Sequence, residues 1–461
     1  MKKIILPLLS GIILAGCLVG PNYHRRKVAV QPSFVNANPL VTDRDSVLNL
    51  KWFKLFGDQV LIGLIDSALK NNLDLRSAIA RVEQSRALYG FAKADLFPAI
   101  GYAGKAGTSN QSNLIGLGNQ SGVSSYQALG NVSWELDVWG KIRRSNRAAL
   151  NQMLASLEAR KAIQSTIVSD VASLYFQLRD FDNRLIIARS TLQSRQEYYD
   201  RMKERFKGGD ISELDLLQSE QQLREAQAAI PNFARQIAFT EHALNVVMGK
   251  HTVAIPRGLT NFDQPESPVI PSGLPSTLLN QRPDVRQAEY NLVAEVERIG
   301  AAQALRLPSF SLTGAAGIAS TELSTLTSGD AFTTNLFGNI LGPIFNFNKN
   351  IRRVEAQKKS AEAALYQYQK TYLVALADVE NSLVANQTFR TELEARQQQL
   401  EATRKNLQLS RARYDEGYTS YLEVLIAETN YFNAALATSA VRAQQLTSTV
   451  TLYRSLGGGW E

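Results

Sequence analysis

The fold is decided by residues 365–414, which read LYQYQKTYLVALADVENSLVANQTFRTELEARQQQLEATRKNLQLSRARY. Every seventh residue of this stretch, with one exception, is apolar or aromatic: Leu365, Tyr372, Val379, Asn386, Leu393, Leu400, Leu407 and Tyr414. The same spacing occurs earlier in the chain: Leu157, Gln164, Val171, Leu178, Leu185, Leu192, Tyr199 and Phe206. A strict repeat of seven keeps one seam against a partner only when helices supercoil left-handedly. The sequence therefore predicts long coiled-coil helices.

An internal duplication organises the chain around these helices. Matching residues lie 208 to 210 positions apart: Asp74-Leu75-Arg76 with Asp284-Val285-Arg286, Pro98 with Pro308, Ile142-Arg143-Arg144 with Ile351-Arg352-Arg353, Gly209 with Gly417, and Leu214 with Leu422. We predict two repeats, 59–249 and 283–457, each containing a first helix (about 59–96 and 283–306), a β-hairpin and a long helical hairpin. The helical hairpins are expected at about 140–249 and 350–457, with a kink at Pro231.

The β-hairpins are predicted at about 98–138 and 308–346, where no helical period is found. Residues 126–138 alternate strictly, with Tyr126, Val132 and Trp134 on one face and mostly polar side chains on the other. Such alternation predicts strands with one apolar and one polar face. A strand of a soluble sandwich would show the same pattern, and 332–345 is less regular.

The amino terminus predicts export and lipidation. Lys2 and Lys3 precede a short apolar run and then Leu14-Ala15-Gly16-Cys17. We interpret 1–16 as a lipoprotein signal peptide and Cys17 as the residue that receives diacylglycerol and an N-acyl chain. Leu18 stands where lipoproteins retained in the inner membrane usually carry Asp, which favours the outer membrane. The alternative is a plain secretory signal beside a chance cysteine.

The remaining segments are connectors, and the composition excludes several functions. Residues 17–58 and the proline-rich 250–282 are predicted to be irregular, and 458–461 form a tail. The net charge of +8 is dispersed along helices, which argues against a nucleic-acid partner. The three histidines have no metal-ligand spacing, so we expect no metal, no other cofactor and no enzymatic activity. The basic run Lys141-Ile142-Arg143-Arg144 is interpreted as surface charge, with contact to lipid headgroups as the alternative.

The chain resembles the TolC family, specifically its lipidated OprM/NodT type. The resemblance covers the whole mature chain and rests on these motifs in this order: Leu-Ala-Gly-Cys17 with Gly20-Pro21-Asn22-Tyr23, Trp52-Phe53-Lys54-Leu55-Phe56-Gly57-Asp58, Asn72-Leu73-Asp74-Leu75-Arg76, Trp134-Glu135-Leu136-Asp137-Val138-Trp139-Gly140-Lys141, Gln281-Arg282-Pro283-Asp284, Leu307-Pro308-Ser309-Phe310, and Leu456-Gly457-Gly458-Gly459-Trp460.

The resemblance implies an α+β membrane channel. Three protomers would each give four strands to a 12-stranded β-barrel, continued by a coiled-coil α-helical barrel. The implied function is the outer-membrane exit duct of a tripartite RND-type efflux pump, which passively conducts small molecules. The implied partners are two further copies of the chain, a periplasmic adaptor protein, an inner-membrane RND pump and outer-membrane lipid. The implied location is the bacterial outer membrane, lipid-anchored and extending into the periplasm.

Two sites follow from the resemblance. The hairpin tips, with Arg205, Gly208, Gly209, Arg413 and Gly417, are expected to dock the adaptor, although the glycines also fit simple helix capping. The gate is expected just beyond the tips. Family members carry an acidic residue where this chain has Ile426, so candidates for a replacement ring are Asp215, Glu220, Glu423 and Glu428, while packing of Leu214 and Leu422 closes the pore.

Two alternative functions remain open at the level of sequence. One is the outer-membrane channel of a protein (type I) secretion system. The other is a periplasmic coiled-coil lipoprotein that conducts nothing.

Overall fold

The computed structural model describes residues 18–25, 57–111, 120–265 and 276–458. Its helices are α1 (Gln59–Asn71), α2 (Leu73–Ala94), α3 (Lys141–Gly208), α4 (Glu213–Val247), α5 (Pro283–Ala304), α6 (Lys349–Asp415) and α7 (Tyr421–Ser455). Its strands are β1 (Ala99–Gln111), β2 (Gln120–Leu136), β3 (Ser309–Ser320) and β4 (Phe332–Leu341). Short 3₁₀ segments lie at Ser276–Gln281, Leu323–Thr325 and Gly329–Ala331.

The predicted duplicated α+β architecture is confirmed. Helix, hairpin, long helix and shorter helix occur in that order twice, as α2-β1-β2-α3-α4 and as α5-β3-β4-α6-α7. The prediction of one helix over 59–96 was wrong, because Asn72 separates α1 from α2. The Asn72 side-chain oxygen accepts from the Leu75 N–H at 2.9 Å, and its amide donates to the Val247 carbonyl at 2.7 Å. Asn72 thus starts α2 as a capping residue.

The long helices α3 and α6 contain 68 and 67 residues. The predicted seam is fully buried in their middle sections, at Val171, Leu178 and Val379. Near the end of α3 the buried residues are Tyr198 and Met202, whereas Phe206 on the predicted seam is exposed. An α-helix with 3.6 residues per turn drifts about 20° per heptad from a repeat of seven, which accounts for this shift of the buried face. Helix α4 continues through Pro231.

The described residues fold into two compact units. One is formed by 18–25, 81–111, 120–157 and 287–369, and the other by 57–80, 158–265, 276–286 and 370–458. In the second unit, a core cluster joins α1, α3, α4 and α7 around Leu61, Ile65, Val171 and Leu244. The buried Asp58 is the polar centre of this core, accepting hydrogen bonds from the Tyr175 hydroxyl (2.8 Å), the Leu259 N–H (2.9 Å) and the Gln264 amide (3.0 Å). Asp58 thereby ties the connector after α4 to the helices.

The first unit contains an antiparallel sheet of order β1-β2-β3-β4. Trp139 fixes the end of β2 near the start of β3, because its indole N–H donates to the Pro308 carbonyl at 2.7 Å. Among the helices of the described residues, none is both long enough and apolar enough to cross a membrane.

Candidate functional site

The four-stranded sheet has one apolar face that the described residues of its own chain leave largely uncovered. Directly paired residues share a face, so Ile100 and Val132, Trp134 and Leu312, and Phe310 and Ile340 lie on the same side. Ile100 is 85% exposed and Tyr102 is 94% exposed. A soluble sandwich would cover such side chains with a second sheet. This face therefore requires an apolar surrounding, which the described part of the single chain does not supply.

The opposite face of the same sheet is polar. It carries mainly amide and hydroxyl side chains: Gln127, Asn131, Ser133, Ser311, Thr313, Thr333, Asn335 and Asn339. Asn339 donates to the Thr313 hydroxyl at 3.2 Å across β3 and β4. The register also shows that β4 alternates, with Leu336 and Ile340 on the apolar face; Phe337 and Leu341 are its exceptions. The amide and hydroxyl groups of this face are suited to contact with water.

The sheet is open at both edges. Within the described residues, β1 pairs only with β2 and β4 pairs only with β3. Unpaired backbone groups at an edge cannot face hydrocarbon, because each costs several kcal/mol there. A two-faced sheet of this kind is complete only when further strands pair with both edges.

The segment after Cys17 is held at the point where β2 meets α3. The Val19 N–H donates to the Trp139 carbonyl at 3.1 Å. Arg144 is completely buried, binds Glu297 at 2.8 Å and donates to the carbonyls of Val19 and Gly20 at 3.2 Å. Interpreting Arg144 as surface charge or as a headgroup contact was wrong: it fixes residues 19–22. Cys17 itself lies outside the described residues.

The other two cations of this basic run are also paired. The Lys141 ammonium lies 2.5 Å from a Glu135 carboxylate oxygen, and Arg143 lies 3.0 Å from Asp137. Asp137 in addition accepts from the backbone N–H groups of Ile142 and Arg143, both at 2.9 Å. These bonds cap the start of α3 and fix the exit angle from the sheet.

The turns between α3 and α4 and between α6 and α7 are built alike. Gly209 and Gly417 have φ values of +82° and +80°, the left-handed conformation that glycine adopts without strain. The Asp210 N–H donates to the Arg205 carbonyl at 3.0 Å, and the Tyr418 N–H donates to the Arg413 carbonyl at 2.8 Å. Both glycines thus have the capping role that the sequence allowed. Gly208 is the last residue of α3.

A cluster of aromatic residues lies behind these turns, here called the tip cluster: Tyr198, Met202, Tyr414, Tyr421 and Val424. The rings of Tyr198 and Tyr421 stack at 5.4 Å, and the Tyr414 hydroxyl contacts the Met202 sulfur at 3.6 Å. The guanidinium of Arg205 lies 5.3 Å above the Tyr414 ring. Burial raises the pKa of the Tyr198, Tyr414 and Tyr421 hydroxyls above their usual value.

Some of the gate candidates have exposed side chains, and the others are held by hydrogen bonds or ion pairs within the chain. Leu214 and Leu422 are exposed, and Ile426 is exposed one turn after Leu422 on the same helix face. Glu423 is also exposed. Asp215, in contrast, accepts at 3.4 Å from the Ser212 N–H in a capping box, and Glu220 binds Arg224 at 3.0 Å.

Glu428 does not fit a ring of water-facing acids, because it is buried between two arginines. Its carboxylate binds Arg411 at 2.6 Å and lies 3.9 Å from Arg195. The buried Arg195 also donates to the Gln222 carbonyl at 2.7 Å and lies 5.3 Å above the Phe432 ring. These contacts join α3, α4, α6 and α7. The seven-residue pattern could not reveal them, because polar residues do not contribute to it.

The described residues were also compared with the requirements of a metal site. In the described ranges, no three His, Cys, Asp or Glu side chains come together as a metal site.

Comparison with known proteins shows similarity to the outer membrane efflux proteins. The profile of the outer membrane efflux proteins matches residues 64–250 and 274–458. The cation efflux system protein CusC of Escherichia coli O6:H1 is 31% identical over 458 residues, covering 99% of both chains. The solvent efflux pump outer membrane protein SrpC of Pseudomonas putida is 32% identical over 472 residues, covering 100% of this chain and 99% of the relative.

Solved structures agree with these relatives. A crystal structure of CusC, described in terms of folding and transmembrane channel formation, superposes with a TM-score of 0.88 and 30% identity over 96% of this chain and 100% of the other. The outer-membrane channel OprN gives a TM-score of 0.90 and 28% identity over the same shares.

Proposed function

The chain belongs to the outer membrane efflux protein family, and from this premise we propose that it is the outer-membrane exit duct of a tripartite efflux pump of the RND type. The observation that carries the proposal is the two-faced sheet with two open edges. Three copies would pair β1 of one with β4 of the next, turning the apolar faces to lipid and the polar faces to water. The duct conducts small molecules passively, and the pump supplies the energy.

The test is conductance of the purified protein in a planar bilayer, together with labelling from outside the cell. A cysteine at Ser324, in the connection between β3 and β4, is expected to react with a membrane-impermeant reagent on intact cells. A protein that assembles but conducts no ions, or that is not labelled, would instead be a periplasmic scaffold.

We further propose that Cys17 carries the lipid anchor. Leu18 contacts Gly140, and Arg144 holds the next residues, so the acyl chains would emerge at the junction of sheet and helices. Two or more acyl chains give effectively permanent attachment. Cys17→Ala is expected to abolish incorporation of labelled palmitate, and persistence of the label would contradict the assignment.

The tips and the gate are proposed in the same way. Gly209 and Gly417 shape turns that would present Arg205 and Arg413 to an adaptor. Crosslinking to the adaptor from cysteines introduced at Lys207 and Glu416 tests this.

Leu214, Leu422 and Ile426 would close the pore by apolar packing, and Glu423 would supply the acidic ring in place of the acidic residue that family members carry at position 426. Glu423→Gln is expected to lower the ratio of cation to anion permeability; an unchanged ratio would remove Glu423 from the gate.

A further inference from the structure

The strands of the sheet contain two charged residues, Lys105 in β1 and Glu135 in β2. Both lie on the polar face, because Lys105 is directly opposite Gln127 and Gln127 alternates with Asn131 and Glu135 along β2. The apolar face has no charged residue. The charge of the wall that faces water is therefore set by these two side chains.

Glu135 is neutralised within its own chain, and Lys105 is not. The Lys141 ammonium lies 2.5 Å from Glu135. Lys105 is exposed, and among the described residues no carboxylate lies within ion-pair distance of it. One positive charge per chain thus remains on the polar face.

Closure of the sheet by further copies would not remove this charge. The open edge of β1 would meet β4 of a neighbouring copy, and β4 contains no Asp or Glu. Residues 109–122, which follow Lys105, contain no charged residue either. The acids of the second hairpin, Glu322 and Asp330, lie in the connection between β3 and β4 and not in a strand.

We propose that Lys105 is a specificity-determining residue of the duct: one from each copy forms a positive ring in the water-filled lumen and favours anionic over cationic solutes. A ring of one charge sign is a common source of pore selectivity. The inference rests on the proposed function, because it requires a closed wall around water.

The reversal potential in a KCl gradient across a planar bilayer tests the ring. Lys105→Gln is expected to lower the ratio of anion to cation permeability about threefold, given the weak but additive effect of three screened charges in water. Lys105→Arg, which keeps the positive charge, is the matched control and should leave the ratio unchanged. Gln127→Lys, which adds a charge opposite Lys105, should raise the ratio.

A chemical test uses Lys105→Cys, since Cys17 is the only cysteine of the natural chain. A cationic thiosulfonate reagent added to open channels should raise the ratio of anion to cation permeability back to that of the unsubstituted protein, and an anionic reagent should lower the ratio further. The unsubstituted protein should respond to neither reagent.

The outcomes separate the two proposals. If the unsubstituted protein forms no channels, the proposed function fails. If it conducts while Lys105→Gln, Gln127→Lys and modified Lys105→Cys all keep its permeability ratio, the function stands and the lysine ring is overturned.

Discussion

The sheet and the tip region differ in how polar and apolar side chains are arranged. In the sheet, polar and apolar side chains lie on separate faces, and both faces remain exposed in the single chain. At the tips, charged and aromatic side chains are mixed within one buried region, where Glu428 lies between Arg195 and Arg411. The charged groups of the tip are paired within the chain, whereas the sheet depends on what surrounds it.

This difference separates two kinds of sensitivity. A substitution at the tip should act within each chain by leaving a buried charge unpaired. A substitution in the sheet should act according to which face it alters, and only after assembly in a membrane. Four substitutions test the comparison.

Glu428→Ala should have the largest effect, because it removes the buried carboxylate from Arg411 and leaves the buried Arg195 only the half-exposed Glu225, at 3.3 Å. Loss of one partner of a buried ion pair costs about 3–5 kcal/mol. Hydrogen exchange of the amides in 411–432 should report this loss of local stability. Glu423→Ala, on the exposed side of the same helix, is the control and should change the exchange rates little. Equal effects of the two variants would mean that the buried ion pairs do not contribute to local stability.

Leu336→Arg should rank second, since it places a charge on the apolar face of β4. Arginine on the lipid side of a membrane sheet costs about 2–4 kcal/mol. The yield of SDS-resistant trimer in outer-membrane fractions is expected to fall severalfold. Asn335→Arg, one residue earlier on the polar face, should assemble normally. Equal yields of the two variants would contradict the assignment of the faces.

Gly417→Ala should have a smaller effect, confined to the tip. An added Cβ meets no atom within 4 Å, so the cost comes only from the φ of +80°. We expect about 1–2 kcal/mol for an alanine in this conformation. Gly63→Ala, in the interior of α1 with equally free space, should stabilise the helix slightly. Thermal unfolding followed by circular dichroism compares the two, and an unchanged melting temperature for Gly417→Ala would disprove the capping role.

Tyr198→Phe should have the smallest effect and the opposite sign. The Tyr198 hydroxyl is buried and has no hydrogen-bond partner among the described residues, so its removal should stabilise the tip by about 1 kcal/mol. Tyr414→Phe removes the contact with the Met202 sulfur and should be neutral or slightly destabilising. Destabilisation by Tyr198→Phe would indicate a hydroxyl partner.

The same variant has a predictable pH dependence. Burial raises the pKa of Tyr198, so the folded chain holds this proton more tightly than the unfolded chain. The corresponding stability is complete below the unfolded pKa of about 10 and is lost as the pH rises above it. The phenylalanine variant should therefore lose less stability than the parent above about pH 10, as measured by thermal unfolding.

The resemblance stated from sequence motifs is confirmed by the family assignment, and the duplicated order of elements is confirmed as well. Both could be predicted because a seven-residue seam, glycine turns and alternating strands are local patterns. The domain boundaries, the lipidated Cys17 and the adaptor-docking and gate residues stay predictions. Sequence reasoning missed the capping role of Asn72 and the burial of Arg144 and Glu428, whose partners lie between 17 and 233 residues away.

The sequence by itself determined that the chain is a duplicated set of long helices and two-faced hairpins, since the spacing of apolar residues dictates which face of each element avoids water. Only the tertiary structure decided which charges are buried. Arg144 and Glu428 look like surface residues in the sequence, but each is enclosed by segments that are brought together only on folding. A buried charge is stable only with its partner, and a local pattern does not identify a partner that is distant in sequence.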